Sequence, residues 1–248
     1  MIMEHAMQLS IVIPAYNEED NITPLVEEIA VALTDYYPFY EIIVVDDGST
    51  DDTIHRLLDL KNLYPRLRII QHQKNKGQSA AILTGVLYAH SPWIISLDGD
   101  GQNDPADIPR LLEARDSSPI ANKIKMVVGV RQKRRDNWLR RFSSRTANTV
   151  RSNLLHDHTP DTGCGLKLFL REEFLSLPHF NHMHRFLPAL IQRDGGVVMN
   201  VPVNHRPRMS GVSKYGLFDR LWVGIIDLIG VLWLQKRPCN VNAHEVLK

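Results

Sequence analysis

Apolar and polar positions along this chain come in blocks rather than in alternation. Leu9-Ser10-Ile11-Val12-Ile13 is a nearly continuous apolar run, the pattern of a strand buried on both faces. Pro14 to Glu19 breaks it, and Asn21 to Leu33 repeats its apolar residues at helical spacing. Tyr40 to Val45 predicts a second, β-branched strand. Asp46-Asp47-Gly48-Ser49-Thr50 is a turn, after which Asp51 or Asp52 can cap a helix running through Leu60. Leu67 to Gln71 predicts a third strand, Asn75 to Ser79 opens a helix reaching about Ala89, and Trp93 to Leu97 predicts a fourth strand. Beyond Asp104-Pro105 the pattern predicts a helix to about Arg115, a strand over Met126 to Val130 and a helix from about Ser144 to Leu155. A glycine-rich turn, Asp161 to Gly165, then leads into an extended run, Leu166 to Phe169. Val197 to Val203 predicts a further strand, and Met209 to Gly216 a loop. Strands and helices that alternate in this way argue a mainly parallel sheet with helices on both faces. In such sheets ligands bind outside the carboxyl ends of the strands.

That rule gathers the polar residues. Tyr16 and Glu18 follow the first strand, Asp46 and Asp47 the second, Lys76 and Gly77 the third, and Asp98, Asp100 and Gln102 the fourth. A single acidic turn is commonly just a helix cap, but four polar clusters at successive strand ends point to one lined edge. In an extended chain Asp98 and Asp100 would aim the same way. Two hard carboxylates with no Cys or His beside them suit Mg²⁺ or Mn²⁺ rather than zinc. An EF-hand reading of the same stretch fails, because its sixth position is Asn103 and its twelfth is Pro109. The first strand is not followed by a G-x-G-x-x-G, and there is no Walker lysine motif.

Composition sharpens this only in places. The chain has 248 residues, 44% of them hydrophobic, and a formal charge of +1, so no global field selects nucleic acid. Charge is uneven, however: between Arg131 and Arg145 lie seven basic residues and one acid, Asp136. A solvated face is the ordinary meaning of such a run. RNA binding is the weaker alternative, since only Trp138 and Phe142 interleave with the bases, and attraction to anionic lipid is a third reading. His156, His158, His179, His182 and His184 lack a fixed second pair of zinc ligands. The two cysteines, Cys164 and Cys239, are too few for a disulfide framework and fit a reducing compartment. Leu9 to Ile13 is too short for a secretory core.

Leu217 to Leu234 is the most hydrophobic stretch. It falls short of the roughly 20 apolar residues of a bilayer span and is interrupted by Asp219, Arg220 and Asp227. At helical spacing Trp222, Ile226, Ile229 and Trp233 share one stripe, opposite Arg220, Gly224 and Asp227. That pattern fits a helix lying in a membrane interface, and also an amphipathic helix packed on its own domain.

The motifs together resemble the family 2 glycosyltransferases with the GT-A fold. Pro14-Ala15-Tyr16-Asn17-Glu18, Val45-Asp46-Asp47-Gly48-Ser49, Asn75-Lys76-Gly77 and Asp98-Gly99-Asp100-Gly101-Gln102 carry that resemblance. Asp161-Thr162-Gly163, Arg206-Pro207-Arg208 and Gly211-Val212-Ser213-Lys214-Tyr215 are similar to the dolichol-phosphate mannosyltransferase branch and its bacterial polyprenyl-phosphate relatives.

The resemblance implies an inverting, metal-dependent transfer of a sugar from a nucleotide sugar (GDP-mannose or a UDP-sugar) to a polyprenyl phosphate. It implies donor contacts from Pro14, Tyr16, Glu18, Asp46 or Asp47, Lys76, Gly77, Asp98, Gln102, Arg208 and Lys214. The divalent ion, Mg²⁺ or Mn²⁺, would sit on Asp98, Asp100 and Gln102. The acceptor phosphate would meet Arg131, Arg145 and Thr149, with Asp100, Arg131 and Asp161 at the reacting centre. Asp161 is expected to orient an arginine or the acceptor rather than to abstract a proton. The expected division is a GT-A domain over residues 8–216, an amphipathic interfacial helix over 217–237 and a tail over 238–248. The expected place is cytoplasmic and peripheral, at the inner face of the cell membrane. Many relatives carry membrane-spanning helices after this domain and this chain does not, so a separate integral membrane partner or a homo-oligomer is left open. Two other functions stay open: transfer to a saccharide or other soluble acceptor in cell-envelope polysaccharide synthesis, and non-catalytic binding of a nucleotide sugar or lipid phosphate.

Overall fold

The computed structural model describes residues 8–34, 36–132, 151–207 and 217–237, with backbone alone for 217–223. Among them are the strands β1 (Leu9–Ala15), β2 (Tyr40–Asp46), β3 (Leu67–Gln71), β4 (Trp93–Ser96), β5 (Ile124–Arg131), β6 (Lys167–Leu170) and β7 (Val197–Val203). They form one sheet in the order β3-β2-β1-β4-β6-β5-β7. β1 lies parallel to both β2 and β4, and β5 is parallel to β7. β6 runs antiparallel to β4 and to β5. The mainly parallel sheet is therefore as expected, with one reversed strand inserted between β4 and β5.

The helices are α1 (Ile22–Thr34), α2 (Thr53–Leu63), α3 (Gln78–Tyr88), α4 (Ile108–Asp116), α5 (Arg171–Ser176), α6 (Leu187–Arg193) and α7 (Leu217–Gln235); residues 151–155 are also helical. Side chains in a strand alternate between faces, and here both faces are covered. Leu9, Ile11, Ile13, Ile42 and Val44 pack with Ile22 and Ile29 of α1, Leu57 of α2 and Leu111 of α4. Val12, Ile43 and Val45 pack on the other side with Ile82 and Val86 of α3, Phe174 of α5 and Leu190 of α6. That double burial explains why the strands read as apolar runs.

α7 adds Val231, wholly buried, to the second of these cores, with Leu228 and Leu232 packed beside it. Asp227 on its inner side pairs with His182 at 3.2 Å. Gln235 donates to the Leu155 carbonyl at 2.9 Å. Ile226, Ile229 and Trp233 are exposed; the side chain of Trp222 lies outside the described residues. The described part of the apolar stripe thus faces outward, while Asp227 and Val231 on the opposite side face the protein.

Local detail resolves three of these expectations. Helix α2 has Asp52 at its N-cap position without a capping bond; it is Asp51 that accepts from the Thr53 backbone N–H, at 3.1 Å. Helix α3 begins at Gln78, within the expected Asn75 to Ser79 opening, because Gly77 at φ 89° is outside the helical region. β4 ends at Ser96, so Asp98 and Asp100 are not two steps of one extended strand. They sit in the turn that follows, where Gly101 takes φ 70°.

Candidate active site

The loops after β1, β2 and β3 are stitched to one another. Asn17 donates its backbone N–H to Ser49 Oγ at 2.9 Å and accepts the Thr50 N–H at 2.8 Å. Glu18 donates its backbone N–H to Thr53 Oγ1 at 2.9 Å, and its carboxylate accepts from Asn21 Nδ2 at 2.7 Å. Pro14 and Tyr16 stay partly exposed along this edge. Asp46 and Asp47, both buried, face inward. Asp46 accepts from the Ser49 N–H at 3.1 Å and from Gln71 Nε2 at 3.0 Å. Asp47 accepts the N–H groups of Lys76 and Gly77, each at 2.8 Å, and pairs with His72 Nδ1 at 2.6 Å. Both carboxylates therefore build the wall of the edge, and the Lys76 side chain is left exposed upon it. Gly48 is part of the same seam. It takes φ 71°, and a Cβ there would stand 2.7 Å from the Lys74 backbone, so the approach of the two loops requires glycine.

The carboxylate turn is tied in next. Gln78, the first residue of α3, donates its side-chain amide to Asp98 Oδ1 at 2.7 Å. The Asp98 backbone N–H donates to Asn103 Oδ1 at 3.1 Å, and Asp100 Oδ1 accepts the Gln102 N–H at 3.1 Å. Opposite this turn lies the Asp161 to Gly165 segment. A Cβ on Gly165 would be 2.3 Å from the Asp98 carboxyl carbon, so only glycine admits the carboxylate at that place. Ser96 Oγ donates to the Gly165 carbonyl at 2.9 Å and locks the arrangement.

Asp98 keeps a part-exposed edge, yet enclosure by protein and repulsion from Asp100 push its pKa up to about 6; Lys167, Arg131 and the Gln78 amide offset part of this. Repulsion between the two carboxylates is what a bound cation relieves. Hard oxygens from Asp98, Asp100 and the Gln102 amide suit Mg²⁺ or Mn²⁺, so these residues fit the ion. Among the described residues no three His, Cys, Asp or Glu side chains form a complete metal cage. The remaining shell would fall to water and to the donor's phosphates.

Arg131 and Asp161 meet in a bidentate pair. Arg131 Nε and Nη2 each donate at 2.6 Å to the two Asp161 oxygens, and the Arg131 backbone N–H adds a bond of 3.3 Å. Burial works against the Arg131 charge, but Asp161 outweighs it and raises its pKa. With both oxygens committed to the guanidinium, Asp161 orients Arg131 and is poorly placed as a base. Beyond β7, Arg206 ties its segment down by pairing with Glu28 at 2.5 Å and Asp104 at 2.7 Å. Its backbone N–H donates to the Gln102 carbonyl at 3.0 Å. Arg145, Thr149, Arg208 and Lys214 lie outside the described residues.

The family model for glycosyl transferase family 2 matches residues 10–175. The chain belongs to glycosyl transferase family 2. It is 36% identical over 93% of its length to a dodecaprenyl-phosphate galacturonate synthase of Rhizobium johnstonii, and covers 68% of that protein. It is 34% identical over 84% of its length to an undecaprenyl-phosphate 4-deoxy-4-formamido-L-arabinose transferase of Edwardsiella ictaluri, and covers 63% of it. The chain thus spans about two thirds of the length of each. A crystal structure of glucosyl-3-phosphoglycerate synthase from Mycobacterium tuberculosis, in complex with Mn²⁺, UDP-glucose and glycerol 3-phosphate, matches with a TM-score of 0.68 at 19% identity. The match covers 92% of this chain and 80% of that one. The same enzyme with Mg²⁺ and UDP gives a TM-score of 0.68 at 19% identity, over 92% and 79%. At that identity the likeness speaks for the fold, and it agrees with the GT-A expectation.

This family 2 site also holds residues that sequence reasoning passed over. Gln78, Asn103 and Lys167 all adjoin the carboxylate turn. Gln78 and Asn103 carried no signal beyond their positions next to motifs. Lys167 did: it is a lysine inside the apolar run Leu166 to Phe169, and a charge so placed is rarely idle. Among the described residues no helix is long and apolar enough to cross a membrane.

Proposed function

We propose that this family 2 glycosyltransferase moves a sugar from a nucleotide sugar to a polyprenyl phosphate, with inversion, at a membrane surface. The observation that carries this reading is the Arg131–Asp161 pair, whose guanidinium lies close enough to the Asp98 carboxylate to offset part of the rise in its pKa. An acceptor phosphate is already ionised near neutral pH and needs no base. It needs a cation to bring it beside the donor, and a guanidinium held through Nε and Nη2 by Asp161 presents its remaining N–H groups for that purpose. The names of the two relatives above, each a polyprenyl-phosphate enzyme, support the same substrate class.

In this reading Asp98, Asp100 and Gln102 hold Mg²⁺ or Mn²⁺, which when bound neutralises charge on the departing diphosphate. The edge built from Pro14, Tyr16, Glu18, Asp46 and Asp47 receives the nucleoside, and Lys76 and Gly77 flank the phosphates. Arg208 and Lys214 complete the phosphate contacts, and Arg145 and Thr149 meet the acceptor. Residues 8–216 act as the catalytic unit. The outward stripe of Ile226, Ile229 and Trp233 lies on lipid at the cytoplasmic face of the membrane, the polar side of α7 being occupied by its contacts with the domain.

The test is transfer from a panel of nucleotide sugars to a short-chain polyprenyl phosphate, with and without chelator. Metal-dependent release of nucleoside diphosphate on addition of that acceptor is expected. Faster transfer to a free saccharide hydroxyl than to the lipid phosphate would refute the acceptor assignment. Sedimentation with anionic vesicles tests the stripe: Trp233→Ser combined with Ile229→Ser should weaken it, and a wild-type chain that ignores vesicles would leave α7 a packed helix only.

A further inference from the structure

Lys167 is 3% exposed, and its ammonium donates to the Cys164 carbonyl. Its place follows from the sheet. Ser96 of β4 is the register partner of Lys167 on β6, and partners in an antiparallel pair project on the same face. In the bend just before β6 stands Gly165, against which the Asp98 carboxylate packs. Lys167 therefore rises from the strand position next to the carboxylate turn. Burial lowers the Lys167 pKa, while Asp98 and Asp161 nearby favour its charged form; that charge in turn favours the ionised Asp98 and disfavours a protonated His184. No carboxylate hydrogen-bonds it among the described residues. Burying an ammonium against a single carbonyl is costly, and a methionine of similar length would fill the space at lower cost.

We propose that Lys167 is a fixed counter-charge behind the Asp98–Asp100 pair, which weakens the grip of that pair on a bare divalent ion so that ion and donor diphosphate bind and leave together. This rests on the reading of Asp98 and Asp100 as metal ligands. The ammonium offsets part of the carboxylates' negative field, so a lone dication gains little. An ion carried with the anionic diphosphate suffers less repulsion from Lys167, because the net charge arriving is no longer positive. After transfer the same counter-charge loosens the metal from its carboxylates and lets the nucleoside diphosphate depart with it. Lys167 touches neither substrate in this scheme and acts as a positioning and charge-setting residue.

The test is Mn²⁺ titration of the full chain followed by electron paramagnetic resonance, alone and with GDP or UDP. Wild type should bind the bare ion weakly and bind it far more tightly with a matching nucleotide. Lys167→Met should tighten bare-ion binding about tenfold, the scale of one nearby unit charge in a partly solvated site, and should shrink the enhancement by nucleotide. Turnover should fall, while the thermal midpoint stays level or rises. Lys167→Arg should keep the wild-type pattern. Lys167→Gln retains a donor for Cys164 without the charge and should follow Lys167→Met, which covers the case in which the methionine variant does not fold. A folded Lys167→Met or Lys167→Gln with unchanged or weaker bare-ion affinity overturns the proposal and leaves the metal assignment standing. A wild type that binds no Mn²⁺ with either nucleotide overturns both.

Discussion

At the amino edge of the sheet, Glu41 is 1% exposed and well served. Ser10 Oγ donates to it at 2.6 Å, the His90 backbone N–H at 2.7 Å, and Arg68 pairs with it. Burial alone would raise its pKa, yet these bonds outweigh burial and hold it below the usual carboxylate range. At the carboxyl edge Asp98 is enclosed too, but the Gln78 amide and the Lys167 and Arg131 charges do not outweigh burial and the rival Asp100 carboxylate, and its pKa rises to about 6. Burial therefore does not decide ionisation; the set of partners does. The amino edge is complete in itself. The carboxyl edge holds charge that a ligand must complete, and that difference marks the working end of the sheet.

The strongest way to break the comparison is Asp100→Ala. Turnover should fall by about three orders of magnitude, the scale of losing one electrostatic element of a reacting centre, with the thermal midpoint unchanged or raised because Asp98 loses its repelling neighbour. Steady-state rates and a melting curve check both halves, and activity within tenfold of wild type would make the two edges equivalent. Glu41→Ala should do the reverse. It strands Arg68, Ser10 and the His90 N–H, and should cost about 3 kcal/mol of stability, as for a buried pair stripped of one partner. The turnover of each folded molecule should hold. Urea unfolding with active-site titration measures this.

Arg131→Lys keeps the charge and loses the fork. Transfer efficiency should drop by roughly 1.5–3 kcal/mol, the worth of a charged hydrogen bond, with donor affinity by calorimetry little changed. Arg145→Ala, on the acceptor side by resemblance, should behave alike, and equal losses in donor binding would undo the division into two sides.

The smallest effects are in pH. The protonated carboxyl of Asp98 is a poor partner for a cation, so transfer should decline as pH falls through about 6. Its effect on folding has the opposite sign. A carboxyl with a raised native pKa holds its proton more firmly when folded, so Asp98 opposes folding fully above about pH 6, less as pH falls below that value, and not at all once pH is below the ordinary carboxylate value. Glu41, with its lowered native pKa, stabilises above the ordinary carboxylate range and loses that contribution as pH falls through its folded value. Gln78→Leu removes a bond that favours the Asp98 carboxylate, so the acid limb of activity should move to higher pH.

The sequence alone determined the sheet and the edge on which the polar clusters meet, because those follow from local pattern. Apolar blocks of strand length can be buried only between two layers, and polar residues placed after each parallel strand must share its carboxyl edge. Asp98 with Asp100 stood out on the same ground, whereas Arg131 and Asp161 were singled out by the family resemblance. What pairs with what was decided by tertiary structure. Asp161 closes on Arg131 from thirty residues away, Asp47 turns inward to His72 and Gly77, and β6 enters the sheet reversed, which carries Lys167 and Gly165 up to Asp98. Stripe periodicity gave α7 two unlike sides, but only the packing of Val231 and the Asp227–His182 pair set which side faces the protein. Such contacts join segments far apart in the chain, and their energies depend on distance and enclosure, which no local pattern encodes.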